Sequence, residues 1–313
     1  MTPIALYYMT AGATVFLSAL GCGIGLGIAG LSATSSMTRQ PAAIGPSFRA
    51  LIIGLAFIES SAIIALVSTI ISLMSAQHDM TWHQAVASIG GMLAVGIAAM
   101  VIGIASSFVV KATAASIARQ PLLAQKLITY MLIAQSVIEA PVIFAFIINL
   151  LIHTRITPTI GFEQSLQLLA AGLVIAVGCI GPSIGQALCS FSAASAMGTN
   201  MTSYSRLFPF SLLNQAIIET PMIFCLLTAL IILFKPNHSF FNAIQTLVAT
   251  CSMGLGALGS AIGLGFVARR STTQIALEPS AYPSIMRATL LSAALIESTA
   301  IYALITALLL LNR

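Results

Sequence analysis

Four glutamates lie inside otherwise apolar stretches of this chain and recur at nearly equal spacing. They are Glu59, Glu139, Glu219 and Glu297, at intervals of 80, 80 and 78 residues. An ionisable side chain near the middle of a membrane-length apolar helix costs roughly 2.5 to 3.5 kcal/mol or more, so such residues are rare and mark ion or proton pathways. Because apolar surroundings disfavour a charge, we expect each carboxyl to be protonated or paired with a cation, and to ionise only where a counter-charge compensates it.

The composition is that of an integral membrane protein. Hydrophobic residues make up 58% of the 313 residues, charged residues only 6%, and the mean hydropathy is +1.05. An ordinary soluble domain carries about 25% charged residues, so this chain could not cover a water-facing surface. Its eight apolar stretches each exceed the length of about 20 helical residues that spans a bilayer. The sequence therefore predicts an all-α, multi-pass membrane protein with eight transmembrane helices.

The helices are predicted to form four tandem hairpins, each ending near a change from apolar to polar sequence. The predicted hairpins cover residues 1–77, 78–155, 156–236 and 237–313. The first helix of each hairpin carries small residues at equivalent positions, such as Gly21, Gly23 and Gly25 of the first copy. Small side chains let helices approach closely in lipid, where packing drives association. A dinucleotide-binding role for these glycines is excluded, because that fingerprint needs a preceding strand.

A polar turn joins the two arms of each hairpin. The first two copies carry Arg39-Gln40-Pro41 and Arg119-Gln120-Pro121, twenty residues before their glutamates. The later copies have Thr199-Asn200-Met201 and Leu277-Glu278-Pro279 at these places. Proline lacks a backbone donor and restricts the residue before it, so each triplet is expected to end one helix and start the next.

The basic residues predict the orientation in the membrane. Nine lie near the hairpin turns and three on the opposite side. The nine are Arg39, Arg49, Lys111, Arg119, Lys126, Arg206, Arg269, Arg270 and Arg287, and the three are Arg155, Lys235 and Arg313. The positive-inside rule then places the turns in the cytoplasm and both termini on the other side. Scattered single cations do not form a nucleic-acid surface.

The small-residue helix, the Arg-Gln-Pro turn and the carboxyl-bearing second helix together resemble the proteolipid c subunit of rotary F-type ATP synthases, here repeated four times. The resemblance implies an arc of a rotor ring, with glycine-rich arms inside and carboxyl-bearing arms outside. It implies as partners other copies of the chain, the stator a subunit, the central stalk subunits and membrane lipid. The turns at Arg39-Gln40-Pro41 and Arg119-Gln120-Pro121 would dock the stalk. The implied location is an energy-coupling membrane such as a bacterial inner membrane.

The resemblance also implies that each of the four glutamates carries one ion between two half-channels, and that the chain is not itself an enzyme. The sequence has no phosphate-cradling loop, metal-ligand cluster or nucleophile with a base, so catalysis is expected in partner subunits. No cofactor is expected besides the transported ion.

Protons are the favoured ion, with sodium as the alternative. Sodium-carrying relatives resemble one another in a glutamine on the first helix, a hydroxyl after the carboxyl and a tyrosine one turn later. Copy three has Gln186 and Thr220 without the tyrosine, copy four has Ser298 and Tyr302 without the glutamine, and copy one has Ser60 alone. Sodium needs several oxygen ligands, whereas a proton needs only the carboxyl. Neighbouring hairpins could nevertheless assemble a composite sodium site.

Gln135 and Gln215 precede Glu139 and Glu219 by four residues and share their helical face. They either bond the carboxyl or make interhelical contacts, and the sequence leaves both open. Three other protein classes are alternatives: a vacuolar- or archaeal-type proteolipid, a repeat-built secondary transporter or channel, and a structural scaffold. Transporters usually show inverted repeats with dissimilar polar sites, rather than four parallel carboxyls.

Overall fold

The structure of the protein is a computed structural model, which describes residues 2–76, 79–235 and 239–312. Within these ranges the chain forms ten α-helices joined by short turns. They are α1 (Pro3–Arg39), α2 (Ile44–Met74), α3 (Trp82–Arg119), α4 (Ala124–Ile138), α5 (Ala140–Arg155), α6 (Phe162–Gly178), α7 (Ile180–Thr199), α8 (Tyr204–Phe234), α9 (Phe240–Leu277) and α10 (Tyr282–Leu311).

These helices make up eight stretches that are long and apolar enough to cross a membrane in the described part of the chain. Two of the stretches, Pro121–Arg155 and Phe162–Thr199, each contain two helices in line. The prediction of an all-α protein with eight spans is confirmed. The hairpin boundaries proposed at 77–78 and 236–237, and the basic residue Arg313, lie outside the described residues.

Each in-line pair is interrupted just before a proline. The break between α4 and α5 falls at Glu139, two residues before Pro141, and the break between α6 and α7 falls at Cys179, three residues before Pro182. A proline cannot donate the bond to the carbonyl four residues earlier, and its ring crowds that carbonyl. The first break therefore places a carboxyl-bearing residue at a local irregularity of the helix.

All four hairpin turns have the same backbone, although their sequences differ. Each is a residue with φ between −143° and −133° and ψ between 80° and 104°, followed by one short 3-10 turn, which begins at Pro41, Pro121, Met201 or Pro279. The third turn has no proline. There the Asn200 side chain accepts a hydrogen bond from the Thr202 amide (3.1 Å) and donates one to the Ala276 carbonyl (3.0 Å). A side-chain cap thus takes the place of the proline.

The helices are arranged in two rows. The glycine row consists of α1, α3, α6–α7 and α9, and the carboxyl row consists of α2, α4–α5, α8 and α10; the hairpins follow one another in chain order. Neighbours in the glycine row touch backbone to backbone. A Cβ at Gly25 would lie 2.2 Å from the Gly103 oxygen, and one at Gly172 would lie 2.0 Å from the Gly90 carbonyl carbon. Glycine is required at both places by this close approach.

The two rows differ in tightness, and this difference curves the assembly. Glycine-row neighbours pack more extensively than carboxyl-row neighbours. A closer spacing in one row than in the other bends the pair of rows into an arc with the glycine row on the concave side. The middle spans are the most buried and the last is the least, because the outermost helices of the described bundle have neighbours on one side only.

Candidate functional site

The four glutamates lie near the middle of the carboxyl-row spans but differ in exposure. Glu59 on α2 is exposed, whereas Glu219 on α8 and Glu297 on α10 are half-buried. Glu139, at the break between α4 and α5, is only 7% exposed. In the described part of the chain no hairpin stands on that side of hairpin 1, so Glu59 is the most open of the four.

The buried carboxyl is held at the junction between hairpins 1 and 2. Ser60 of α2 has two acceptors within reach of its Oγ: Glu139 Oε2 at 2.9 Å and the Phe57 carbonyl of its own helix at 2.7 Å. The other carboxyl oxygen, Glu139 Oε1, has no partner among the described residues. The site therefore combines one carboxyl with one hydroxyl from the hairpin before it, and it has a free oxygen that can accept or hold a proton.

Bonds of this kind recur along the arc at a separation of about one repeat. Asn149 Nδ2 donates to Ser68 Oγ (2.9 Å), 81 residues away. Ser116 Oγ donates to the Ala194 carbonyl (2.9 Å), 78 residues away. Because the hairpins stack in register, the repeat length itself determines which residues meet across a junction. Ser60 was predicted as possible support for an ion site, and this register is the signal that pairs it with Glu139 of the next hairpin.

The other predicted hydroxyls bond carbonyls of their own helices, as Ser60 also does, but in the described structure they do not reach a carboxyl. Copy two has Ala140 where Ser60 stands, so it offers no hydroxyl to the next hairpin. Thr220 Oγ1 donates to the Ala216 carbonyl (3.4 Å) and Ser298 Oγ to the Leu295 carbonyl (2.8 Å), both within their own helices. Tyr302 is 64% exposed on the free face of α10.

The two glutamines beside the carboxyls bond neighbouring helices. Gln135 Nε2 donates to Ser106 Oγ (2.8 Å) and to the Gly54 carbonyl (3.2 Å). Gln215 Nε2 donates to the Tyr130 hydroxyl (3.3 Å), which also accepts from Ser211 (3.0 Å). Of the two roles left open by the sequence, the interhelical one is the role seen in this structure. The buried Tyr130 was missed, because a tyrosine in an apolar run carries no distinguishing signal.

Gln186 on α7 differs from the other buried amides in the described part of the bundle. It is fully buried, and neither its Nε2 nor its Oε1 has a hydrogen-bond partner among the described residues. Its helix packs against α8, which carries Glu219. A buried amide with both atoms unpaired costs roughly 1 to 3 kcal/mol per group, so this position favours an unseen partner.

The turn residues lie at the end of the bundle remote from the termini. Arg39 and Arg119 are exposed, while Gln40 and Gln120 are half-buried beside them. Pro41 and Pro121 begin the 3-10 turns. In the described ranges no group of three or more His, Cys, Asp or Glu side chains could hold a metal ion.

Comparison with known proteins agrees with this arrangement. The family model described as the ATP synthase C subunit matches the chain four times, over residues 9–72, 89–152, 169–232 and 247–310. The chain is 43% identical over 69 residues to the ATP synthase c subunit of Dehalococcoides mccartyi, covering 22% of this chain and 91% of that protein. It is 45% identical over 67 residues to the ATP synthase c subunit of Geotalea uraniireducens, covering 21% and 74%. With a match in each hairpin, the chain belongs to the family of ATP synthase C subunits.

Proposed function

We propose that the chain is a non-catalytic, ion-carrying subunit of the rotor ring in a rotary ATP synthase, with one ion carried per hairpin. The observation that carries this proposal is the single carboxyl at mid-span in each of four family-matched repeats. All four lie on the carboxyl row, away from the tightly packed glycine row. Such a row can pass a stator channel while the glycine row holds the ring together. ATP chemistry belongs to partner subunits.

We propose protons as the ion. Glu139 is the best-defined site, and its described partners amount to one hydroxyl, that of Ser60. A proton needs only the carboxyl oxygen it binds, whereas a hard cation needs several oxygen ligands at once. Moving one charge through 100 mV yields about 2.3 kcal/mol, so four carriers yield about 9 kcal/mol for each passage of the chain.

The two outer faces of the described bundle support a ring made from several copies joined head to tail. Gly25 of hairpin 1 meets both the Gly103 backbone and the Ile58 side chain. Its equivalent in hairpin 4, Gly263, meets the equivalent Ile296 side chain at 3.3 Å but has no backbone partner. Position 103 corresponds to Gly23 in hairpin 1, and the space beside Gly23 is open. Gly263 and Gly23 of the next copy are therefore expected to meet.

The same head-to-tail contact between copies would complete the site of Glu59, the most exposed of the four carboxyls. Ser60 bonds the glutamate of the hairpin that follows it. Ser298 is the equivalent hydroxyl of hairpin 4, and the hairpin after it would be hairpin 1 of the next copy. Ser298 would then face Glu59 of that copy, and Glu59 would lose the exposure it has in the single chain. In the proposed ring, the Glu59 site would be completed by a second copy.

The remaining partners follow from orientation and family. The basic residues favour cytoplasmic turns, with both termini on the opposite face of an energy-coupling membrane. Exposed Arg39 and Arg119, with their neighbouring Gln-Pro pairs, are proposed to dock the central stalk. All four turns keep one backbone shape, so copies three and four can present the same surface without the Arg-Gln-Pro triplet. The stator a subunit would pass along the carboxyl row.

The test is carboxyl neutralisation in the intact complex. Glu139→Gln should abolish ATP-driven proton pumping and remove labelling of that position by a hydrophobic carbodiimide. Glu278→Gln is the matched control, because it neutralises a carboxyl at a turn and installs the residue found at positions 40 and 120. It should leave pumping unchanged. Pumping at the wild-type rate by Glu139→Gln would overturn the proposal.

A sodium-carrying ring is the second candidate, and the unpartnered amide of Gln186 favours it. Sodium should be tested as a protectant against carbodiimide labelling, resolved by position and measured across pH. Protection of Glu219 that disappears in Gln186→Leu would establish a sodium site in hairpin 3. Labelling that is insensitive to sodium at all four positions would leave the proton as the sole candidate ion.

A further inference from the structure

An apolar groove lies between α3 and α7 on the concave face of the glycine row. Its volume is about 480 Å³, and its lining residues all come from α3, α7 and α9. Phe108 and Phe191 meet edge to face at one end of it, with ring centroids 6.4 Å apart, and Ile184 lines its middle. The groove lies within one chain, and α9 contributes only Arg269 to its lining.

Two cations stand at the end of the groove that points to the hairpin turns. Lys111 of α3 and Arg269 of α9 are both exposed, and both belong to its lining, which includes no carboxylate. Each cation also lines an adjoining hollow that contains hydroxyl groups. Lys111 shares one with Ser32 and Ser35. Arg269 shares the other with Ser192, Ser195 and Thr199.

The depths of these groups match one leaflet of a bilayer. Lys111 lies 10.5 residues from the midpoint of Trp82–Arg119, and at 1.5 Å per residue this is about 16 Å. Arg269 lies at the same distance from the midpoint of Phe240–Leu277. Half of the hydrocarbon core is about 15 Å thick, so both cations reach the level of the lipid phosphates. The apolar lining from Val101 to Phe108 lies between that level and the bilayer centre.

Comparison of the four repeats shows that only hairpins 2 and 4 carry a cation at this position. Lys111 and Arg269 occupy equivalent positions in hairpins 2 and 4, where hairpins 1 and 3 have Leu31 and Phe191. The two cations therefore flank Phe191, and a groove wall of apolar residues is bordered by positive charge on both sides.

We propose that this groove binds an anionic phospholipid of the leaflet on the hairpin-turn side. One acyl chain lies between α3 and α7, and the phosphate is held by Lys111 and Arg269, assisted by nearby hydroxyls. Basic pockets between transmembrane helices recognise anionic headgroups in this way. The lipid would fill the concave face of the arc, which neither the stator nor the ion-carrying carboxyls occupy. The proposal is independent of which ion the chain carries.

The test uses the purified, delipidated full chain in detergent. Native mass spectrometry would compare retention of phosphatidylglycerol with phosphatidylcholine of the same acyl chains. Each basic residue near an anionic headgroup contributes roughly a fivefold preference, so two should give about a 25-fold preference for phosphatidylglycerol. The variant Lys111→Gln with Arg269→Gln should lose this preference. The matched control, Arg270→Gln with Arg287→Gln, removes two exposed charges from outside the groove and should keep it.

A third variant tests the acyl chain separately. Ile184→Trp fills the groove without changing charge and should lower phosphatidylglycerol retention at least severalfold, and it also decides the matter if the charge variant fails to fold. Equal retention of the two lipids, or equal losses in the charge variant and its control, would overturn the proposal. So would displacement of the lipid by inorganic phosphate at millimolar concentration, since that would show binding of the phosphate group alone.

Discussion

Replacing Gly263 by alanine should separate folding of the chain from its assembly with other copies. In the single chain, a Cβ at Gly263 would have only the Ile296 side chain near it, at 3.3 Å. That contact is tight but lies with the end of a side chain that can shift by a few tenths of an ångström. At Gly25, the equivalent position in hairpin 1, a Cβ would lie 2.2 Å from the Gly103 oxygen. Gly25→Ala therefore strains the folded chain, and Gly263→Ala does not.

The magnitude follows from the cost of overpacking. Forcing a methyl group into a closely packed contact costs typically 1–3 kcal/mol. Gly25→Ala should lower the stability of the single chain by about that amount. Gly263→Ala should change it by less than about 0.5 kcal/mol, as for other unstrained surface substitutions. In a ring, however, Gly263 takes on the backbone contact that Gly25 already has. The same 1–3 kcal/mol then falls on each junction between chains.

Two measurements on the same preparations decide the matter. Thermal unfolding of the single chain in detergent reports folding, and the ratio of ring to single chain by native mass spectrometry reports assembly. A loss of 1–3 kcal/mol per junction lowers the association constant by about 5- to 150-fold. Gly263→Ala with an unfolding midpoint like that of wild type and few rings is the expected result. Rings in wild-type yield would refute the head-to-tail register and the pairing of Ser298 with Glu59 that depends on it.

Three further substitutions test the packing within the chain, each by its shift in thermal unfolding. Gly172→Ala places a Cβ 2.0 Å from the Gly90 carbonyl carbon and should lower the free energy of unfolding by about 1–3 kcal/mol. Its control, Gly12→Ala, has nothing within 4 Å of the new Cβ and should be neutral. Equal effects of the two would contradict the glycine-row packing. Asn200→Ala removes the side-chain cap of the third turn and should cost about 1 kcal/mol, and an unchanged midpoint would show that the turn needs no cap. Gln135→Met breaks two bonds between helices and should cost about 0.6 kcal/mol per bond, with exposed Ser136→Ala as its neutral control.

The helices and their number were predictable because hydrophobic length is an uncomplicated signal in a membrane. Eight apolar stretches require eight spans, and the repeated glutamate sets which spans are alike. The close approach at Gly25 also follows from the small residues. The third turn was harder to foresee, since Thr199-Asn200-Met201 has no proline. Its shape is restored by the Asn200 side chain, a local bond that a search for one triplet does not detect.

The site was predictable in its carboxyls but not in their surroundings. The position of each glutamate along its span follows from the sequence, whereas its burial depends on the hairpin that stands beside it. Glu59 and Glu139 have similar local sequences, Ile58-Glu59-Ser60 and Ile138-Glu139-Ala140. Glu59 is nevertheless exposed, whereas Glu139 is buried, with only 7% of its surface accessible. The partner of Glu139 lies 79 residues away, so only the stacking order of the hairpins identifies it.

Fusion of four hairpins in one chain allows the ion sites to differ from one another. Glu139 has a hydroxyl from the preceding hairpin, whereas Glu219 has Ala140 at that place. A hydrogen bond between membrane helices is worth about 0.6 kcal/mol on average, which changes ion affinity about threefold. One charge crossing a 150 mV potential gains about 3.5 kcal/mol, so this drive exceeds the difference between sites. In the proposed rotor the unequal carboxyls would therefore pass at similar rates under a full potential, and uneven stepping would emerge only as the potential falls towards about 25 mV, where the two energies are comparable.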